Sequence, residues 1–234
     1  MRGQREPIYT LARTVVPPVI RFWVRLECAG FDNVPAGGPV IVASNHISYF
    51  DPLCLGTCLD QAGRTVRFLA KAELFSNRWF GWALRGAGQI PVRRATRDAK
   101  LALEHAVRAL EDGAAVVVYP EGTTTKNADF SPQPAKSGLA RLALLTGAPV
   151  VPVGQWGAHL LFAQGRIGPF RRGVRTIVRA GPPLEVPNDP NPSMDTIRSQ
   201  TQRIMAAIVE QVELAKQDWS PPDWYRPRSE PVAG

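Results

Sequence analysis

A histidine and an aspartate five positions apart, His46 and Asp51, are the residues of this chain best suited to acid–base chemistry. They follow an apolar run at 39–43 that is typical of a buried strand, and Pro52 favours a helix that starts beside Asp51. A carboxylate on the first helical turn can hold one imidazole nitrogen as a donor and leave the other free to accept a proton. The spacing predicts a general base with its orienting partner, although the same spacing taken alone is more often a surface hydrogen bond.

Three further segments follow in order along the chain. They read G-Q-I-P-V-R-R at 88–94, Y-P-E-G-T-T at 119–124 and V-V-P-V at 150–153. With residues 45–51, they resemble the 1-acylglycerol-3-phosphate acyltransferase family of glycerolipid enzymes, whose segments read roughly N-H-x4-D, G-x-I-P-V-x-R, [FY]-P-E-G-T-[RS] and V-P-V. The stretch K-A-E-L-F at 71–75 is similar to a Lys-x-x-Leu stretch that the family has between its first two segments. The resemblance covers roughly residues 35–185.

The resemblance also implies which residues bind substrate. It assigns this role to Lys71, Arg93, Arg94, Glu121, Gly122, Thr123 and Thr124. Arg94 matches the arginine that the family is taken to use to grip the acceptor phosphate. Arg93 departs from the family, which usually has Asp or another residue there, and Thr124 stands where the family often has Arg. Lys126 and Lys136 are candidates to restore the positive charge that Thr124 lacks.

The activity implied by the resemblance is acyl transfer from an acyl thioester to the free hydroxyl of 1-acylglycerol-3-phosphate, which gives phosphatidic acid. His46 is the expected base, and Asp51 orients it. The co-substrate is acyl-CoA or acyl carrier protein, and neither a cofactor nor a metal is required because a thiolate leaves readily. A second interpretation keeps the chemistry but changes the acceptor to a glycolipid or another lysolipid. A third is a hydrolase that uses water in place of the alcohol.

The net charge of the chain limits the classes of partner that it is suited to bind. The 234 residues carry a formal net charge of +8, and the sequence pI is about 9.9. This balance suits phosphorylated ligands, an anionic membrane surface or nucleic acid. A basic nucleic-acid-binding protein is therefore an alternative, but the sequence has no zinc-ligand spacing, RNA-binding signature or basic run interleaved with aromatic residues. We expect membrane lipids and a lysophospholipid acceptor as partners, and no nucleic acid.

Cysteine usage bears on the compartment. Cys28, Cys54 and Cys58 form an odd and sparse set, so we expect no disulfide framework and a reducing compartment. Cys54 and Cys58 are four positions apart on one face of the expected helix, where we predict that they are small core residues.

From residue 39 onward, predicted strands and helices alternate, which is typical of an α/β fold. We predict a mixed, largely parallel sheet flanked by helices. The expected strands are 39–43, 66–70, 90–92, 115–119, 150–154 and 174–180, and the expected helices are 52–61, 73–86, 96–112, 137–147 and 193–217. The resulting division is an N-terminal helical membrane-associating segment at 1–34, an acyltransferase domain at 35–217 and a Pro-rich tail at 218–234.

Two segments have the composition of a membrane interface. Residues 8–27 mix aromatic and aliphatic groups with arginines, and are too interrupted to span a bilayer. Residues 76–86 place two tryptophans and a phenylalanine among arginines, which suits the lipid headgroup zone. Each could instead be a helix that uses its apolar residues as core. We expect a peripheral membrane protein on the cytoplasmic face of the cell membrane.

Overall fold

The computed structural model describes residues 7–92, 98–164, 166–168 and 172–225, and this part of the chain contains six α-helices, three short 3-10 helices and nine strands. The helices are α1 (Pro7–Trp23), α2 (Asp51–Gln61), α3 (Arg78–Gly86), α4 (Asp98–Glu111), α5 (Gly138–Thr146) and α6 (Met194–Asp218). The strands are β1 (Val24–Ala29), β2 (Val40–Ser44), β3 (Val66–Lys71), β4 (Ile90–Val92), β5 (Ala115–Val118), β6 (Val150–Trp156), β7 (Phe162–Ala163), β8 (Arg166–Ile167) and β9 (Val174–Ala180).

Seven strands form one twisted sheet in the order β1-β9-β6-β2-β5-β3-β4. The five strands from β6 to β4 are parallel to each other, whereas β9 runs antiparallel to β6 and β1 runs parallel to β9. The prediction of a mixed, largely parallel sheet flanked by helices is confirmed. Because β2, β3, β4, β5 and β6 are parallel, their carboxyl ends lie at one shared edge of the sheet. Residues that follow these strands can therefore meet in one site.

Helices cover both faces of this sheet, which is why its central strands are buried nearly throughout rather than alternating between buried and exposed residues. All five residues of β2 and all four of β5 are buried. One core cluster includes residues of α1 and α2, and the other includes residues of α4, α5 and α6. The segment 150–153, predicted from the V-V-P-V pattern, is the start of the buried strand β6.

The N-terminal segment is helical only as far as Trp23. Residues 24–29, which we expected to belong to a helical segment, instead form the edge strand β1, paired in register with β9 from Val24↔Val174 onward. This part of the prediction is wrong because the pairing partner lies at the other end of the domain, and the local pattern contains no trace of it. None of the helices in the described ranges is long and apolar enough to cross a bilayer.

Cys28 and Cys58 form a disulfide between β1 and α2, with their Cα atoms 5.7 Å apart. The expectation of no disulfide is therefore wrong in this structure. The disulfide depends on the formation of strand β1. Because β1 and α2 contribute to one core cluster, the two cysteines lie together although they are 30 positions apart in sequence. Cys54 is free and fully buried, as predicted for a core residue.

The predicted helix at 73–86 divides into two parts. A short 3-10 helix covers Ala72–Phe75, and α3 starts after Asn77, whose side chain accepts hydrogen bonds from the amides of Trp79 and Phe80. An asparagine at this position satisfies amide groups that have no partner within the first helical turn. The N-cap therefore sets the start of α3.

Candidate functional site

The His46 and Asp51 side chains meet at the edge where the parallel strands end. His46 follows β2, Asp51 begins α2, and the distance from His46 Nδ1 to Asp51 Oδ2 is 2.9 Å. Asp51 is fully buried, and the same oxygen accepts the backbone N–H groups of Ile47 and Ser48 at 2.6 and 2.8 Å. The turn between strand and helix therefore fixes the carboxylate before it contacts the imidazole.

This contact determines the proton arrangement on the imidazole. An ionised carboxylate can only accept hydrogen bonds, so Nδ1 of the neutral ring carries the proton and Nε2 has a free lone pair. The His46 side chain is 15% exposed, and none of the described residues hydrogen-bonds to its Nε2 atom. The ring can therefore accept a proton from a molecule that reaches this edge of the sheet.

Tyr119 forms one wall of the histidine site. Its ring stacks on the imidazole of His46, with centroids 4.2 Å apart and planes 22° from parallel. Burial, and to a lesser degree the charge of Asp51, raises the pKa of the Tyr119 phenol well above its ordinary value. The phenol is therefore neutral at physiological pH, and its ring limits how far the imidazole can tilt.

Asn45, the residue before the histidine, is occupied by the fold. Its side-chain amide donates to the carbonyl of Gln155 at 3.0 Å and accepts from the N–H of Gln155 at 2.8 Å, which joins the end of β2 to β6. The Asn45 side chain therefore holds the two strand ends together.

Glu121 is a buried carboxylate held by two backbone groups. One oxygen accepts from the N–H of His46 at 2.9 Å, and the other from the N–H of Gln133 at 2.8 Å. Burial raises the pKa of Glu121, and these two hydrogen bonds oppose that shift. In this structure Glu121 ties the histidine segment to the loop that returns towards α5, so it positions the backbone on which His46 is carried.

Gly122 makes the turn that follows. Its φ of +74° lies in the left-handed region, where a side chain is strained, and a Cβ there would lie 3.4 Å from Lys136 Nζ. The chain then passes back over the site, where the N–H of Thr125 donates to the carbonyl of His46 at 2.7 Å. Of the two lysines considered as replacements for the missing arginine, Lys136 is the one held beside Gly122.

A shallow depression of about 350 Å³ opens beside this turn. Thr124 and Lys126 contribute to its lining, and Tyr49, three residues after His46, forms part of its wall. Thr124 is buried and Thr123 is exposed, whereas Lys126 is exposed and has no acidic partner among the described residues. The depression is lined by Tyr49, Thr123, Thr124, Thr125, Lys126 and Gln164.

The remaining predicted binding residues belong to the β3 and β4 end of the edge. Lys71 is the last residue of β3, is exposed and lies 3.8 Å from the carboxylate of Glu73. It pairs in the sheet with Val92, the last residue of β4. Arg93 and Arg94 come directly after Val92 and lie outside the described residues, so their predicted phosphate contact stays a prediction.

Two participating residues were missed by the sequence patterns. Tyr119 was read only as the first letter of its segment, and Ser48 was not considered. The Ser48 hydroxyl donates to the carbonyl of Phe162 at 2.7 Å, which fastens the histidine turn to β7. An aromatic residue directly before P-E-G was the one available signal for the ring contact, and nothing in the sequence indicated the serine contact.

The comparison with protein families decides the affiliation of the chain. A family model described as acyltransferase matches residues 25–156, which is more than half of the sequence. The chain belongs to this acyltransferase family. The matched range includes both residues of the histidine–aspartate pair and the P-E-G turn, and the predicted resemblance is confirmed.

Relatives of this chain include enzymes with different acceptors in their names. A chloroplastic 1-acyl-sn-glycerol-3-phosphate acyltransferase of Brassica napus is 29% identical over 157 residues, which are 66% of this chain and 44% of that protein. The chain thus spans less than half of that relative. A lyso-ornithine lipid O-acyltransferase of Pseudomonas aeruginosa is 31% identical over 139 residues, covering 57% of this chain and 51% of that protein.

A solved structure shares the fold across almost the whole chain. The 1-acyl-sn-glycerophosphate acyltransferase PlsC of Thermotoga maritima aligns with a TM-score of 0.69 at 26% identity. The alignment covers 94% of this chain and 86% of that chain. The likeness therefore extends beyond the matched family range to both ends of the domain.

Proposed function

We propose that this acyltransferase moves a fatty acyl group from acyl-CoA or acyl carrier protein to the free hydroxyl of 1-acylglycerol-3-phosphate, with phosphatidic acid as product. The single observation that carries this proposal is the His46–Asp51 contact at 2.9 Å, with the free ring nitrogen at the shared edge of the parallel strands. Family membership supports the reaction class, and the names of several relatives support this acceptor.

The proposed reaction proceeds by direct attack. His46 Nε2 takes the hydroxyl proton while the acceptor oxygen forms a bond to the thioester carbonyl carbon. The carbonyl oxygen becomes an oxyanion, which then collapses as the C–S bond breaks. The departing thiolate takes the proton from the imidazolium, which restores the base. Asp51 holds Nδ1–H throughout and stabilises the imidazolium that forms between the two steps.

The acceptor is proposed to bind across the β3, β4 and β5 ends. Arg94, with Arg93 and Lys71 as further cations, would hold its phosphate through charge-assisted hydrogen bonds. Glu121 and Gly122 would shape the turn against which it lies, and Thr123 and Thr124 would contact it from the depression side. The turn geometry supports these roles, because Gly122 permits a close backbone approach.

A different lysolipid is the second candidate acceptor. The observation that favours it is Thr124, which leaves the P-E-G turn without the arginine that the family often has, and whose side chain is buried. The relative of Pseudomonas aeruginosa is named for a lyso-ornithine lipid, an acceptor without a phosphate monoester. Hydrolysis and nucleic-acid binding are not favoured by any of the relatives reported above.

We also propose that the protein associates peripherally with the cytoplasmic face of the membrane through α1. The support is a row of apolar side chains on its outer surface, at Leu11, Val15, Val19 and Phe22, each 48–58% exposed. On the inner surface, Arg13 forms an ion pair with Asp60 of α2, so this arginine is not available to lipid phosphates. Replacing both Val15 and Val19 by Ser tests this segment without removing β1.

The proposed function is tested by incubating the purified protein with acyl-CoA and one acceptor at a time. Lysophosphatidate, lyso-ornithine lipid, a lysoglycolipid and a sample without acceptor make up the series, and products are identified by mass spectrometry. We expect phosphatidic acid with lysophosphatidate, and thiol release that depends on the acceptor. Thiol release at the same rate without acceptor would indicate a hydrolase, and acylation of lyso-ornithine lipid alone would overturn the phosphate acceptor.

A further inference from the structure

The exposed apolar surface is concentrated on one side of the molecule. Among the described residues, fourteen large apolar side chains are exposed, and ten of them belong to α1, α3, the short helix before α3, and the start of α2 with its preceding turn. The other four are Leu101, Ile167, Met194 and Val209. Helices α1 and α2 belong to one core cluster and α3 contacts α1, whereas α4 and α6 belong to the other cluster, on the opposite face of the sheet.

The most exposed side chain of this surface, Trp79, lies on α3. Trp79, Phe80 and Trp82 are 75%, 52% and 56% exposed. Three large exposed rings on one short helix form a patch, whereas apolar residues that are scattered singly over a surface need no explanation. Nothing in the described structure covers these rings. The alternative in which α3 uses its aromatic residues as core is therefore wrong.

The outward orientation of these rings is built into the helix. Gly81 lies against the backbone of Phe75, where a Cβ would come within 2.2 Å of the Phe75 carbonyl oxygen. The same carbonyl accepts a hydrogen bond from the Arg85 guanidinium at 2.6 Å, and Asn77 caps the first turn. The helix is thus fixed on its inner side, so the aromatic residues are held outward by tight packing beneath them.

The charge around these rings points to one kind of partner. The Arg78 guanidinium lies 5.2 Å from the ring centre of Trp79, and Arg85 is also exposed. Tryptophan and arginine side by side match the headgroup zone of a bilayer, where indole rings sit at the interface and cations meet lipid phosphates. Anionic lipid satisfies both groups, since the interfacial zone accepts the indole rings and the lipid phosphates bind the guanidinium groups.

The position of α3 connects this surface to the site. The helix follows Lys71, the last residue of β3, and therefore begins at the edge of the sheet that contains His46. A lipid acceptor must leave the bilayer at that edge in order to reach the base. This step rests on the proposed function, since an enzyme with a water-dissolved acceptor has no need of a lipid surface there.

We infer that Trp79, Phe80 and Trp82 form a docking surface for an anionic phospholipid bilayer, separate from the one proposed for α1. This surface brings the His46 edge against the headgroups.

Vesicle sedimentation tests this inference without any reaction. The full-length protein and its Trp79→Ala/Trp82→Ala variant are mixed with phosphatidylcholine vesicles containing one quarter phosphatidylglycerol. The matched control is Leu101→Ala/Val209→Ala, which removes two exposed apolar side chains from the opposite face. We expect at least a tenfold weaker partition coefficient for the tryptophan variant, no change for the control, and similar thermal unfolding of all three proteins.

A second measurement keeps the inference testable if the tryptophan variant misfolds. Vesicles with brominated acyl chains should quench tryptophan fluorescence of the unmodified protein, and Trp79→Phe/Trp82→Phe should lose most of that quenching. Equal sedimentation by the variant and the unmodified protein, or absence of quenching, would overturn the inference. A failure to transfer acyl groups would affect the proposed function alone, since neither assay contains a thioester.

Discussion

At the scale of single residues, Asp51 has no freedom to turn within the site. One of its oxygens accepts three hydrogen bonds, two from the backbone and one from His46, and the side chain is fully buried. An asparagine in its place carries no negative charge to stabilise the imidazolium, and its amide nitrogen, which is a donor, competes with its oxygen for the position that faces His46 Nδ1.

The Asp51→Asn variant should therefore keep its fold and lose turnover. We expect kcat to fall by about 10²- to 10⁴-fold, because the ring is no longer held in the tautomer that leaves Nε2 unprotonated. Steady-state kinetics with acyl-CoA and lysophosphatidate measure the effect. Asp195→Asn, which changes an almost fully exposed carboxylate of α6, is the control. Equal kcat values for the two variants would contradict the orienting role.

Tyr119 allows a second prediction at this scale. Its ring stacks on His46, and such contacts contribute about 0.5–1.5 kcal/mol. Tyr119→Leu should lower kcat by about tenfold at unchanged KM, since the imidazole loses the wall that fixes its tilt. Tyr119→Phe keeps the ring and should retain kcat within about threefold. If Phe and Leu give the same kcat, the stacking contact does not position the base.

At the scale of structural elements, the Cys28–Cys58 link joins an edge strand to the helix that begins with Asp51. A disulfide that closes a loop of this length contributes about 3–4 kcal/mol in the chain-entropy description. Reduction should therefore lower the denaturant midpoint of the unmodified protein. The Cys28→Ser variant should show the lower midpoint from the start and no response to reductant. A midpoint unaffected by reductant in the unmodified protein would show that the link does not form in solution.

His159 gives the fold a pH dependence of its own. It is buried against the rings of Trp156 and Phe130, and burial, assisted by the charge of Lys216, lowers the pKa of its imidazole from 6.5 to about 4. The unfolded chain takes up a proton on this residue as the pH falls below 6.5, whereas the folded chain does not. Its stabilising contribution is therefore complete above pH 6.5 and is lost as the pH falls towards 4.

Urea denaturation at pH 7 and pH 5 measures this effect. The unmodified protein should lose about 2 kcal/mol more unfolding free energy between these pH values than His159→Phe, at about 1.4 kcal/mol per pH unit for one proton. The phenylalanine keeps an aromatic ring at the site and removes the titrating group. The same pH dependence in both proteins would mean that His159 is protonated in the folded state.

At the scale of the whole molecule, the sheet explains why segments far apart in sequence serve one site. The ends of β2, β3 and β5 lie at one edge, so His46, Lys71 and Glu121 come together although the segments are separated by helices. This convergence was predictable from the sequence, because apolar runs alternating with helical patterns indicate parallel strands, and parallel strands end together.

Other features of the fold were not predictable from local patterns. Strand β1 depends on a partner strand at the far end of the domain, and the disulfide depends in turn on β1. Glu121 lies in the P-E-G segment and Asn45 lies beside His46, so the sequence patterns include both residues. The atoms that they contact, however, are backbone groups of residues distant in sequence. A pattern of side chains records which residue types occur at a site, whereas these contacts are set by how the backbone segments meet.

The His46→Ala variant provides the most direct test of the central claim, which is that this imidazole is the base of an acyl transfer. Phosphatidic acid formation from acyl-CoA and lysophosphatidate is measured for this variant and for His105→Ala, which removes a histidine on α4 away from the site. The account predicts at least a thousandfold loss of kcat for His46→Ala, near-normal turnover for His105→Ala and similar thermal unfolding for both. Turnover by His46→Ala within tenfold of the unmodified protein would contradict it.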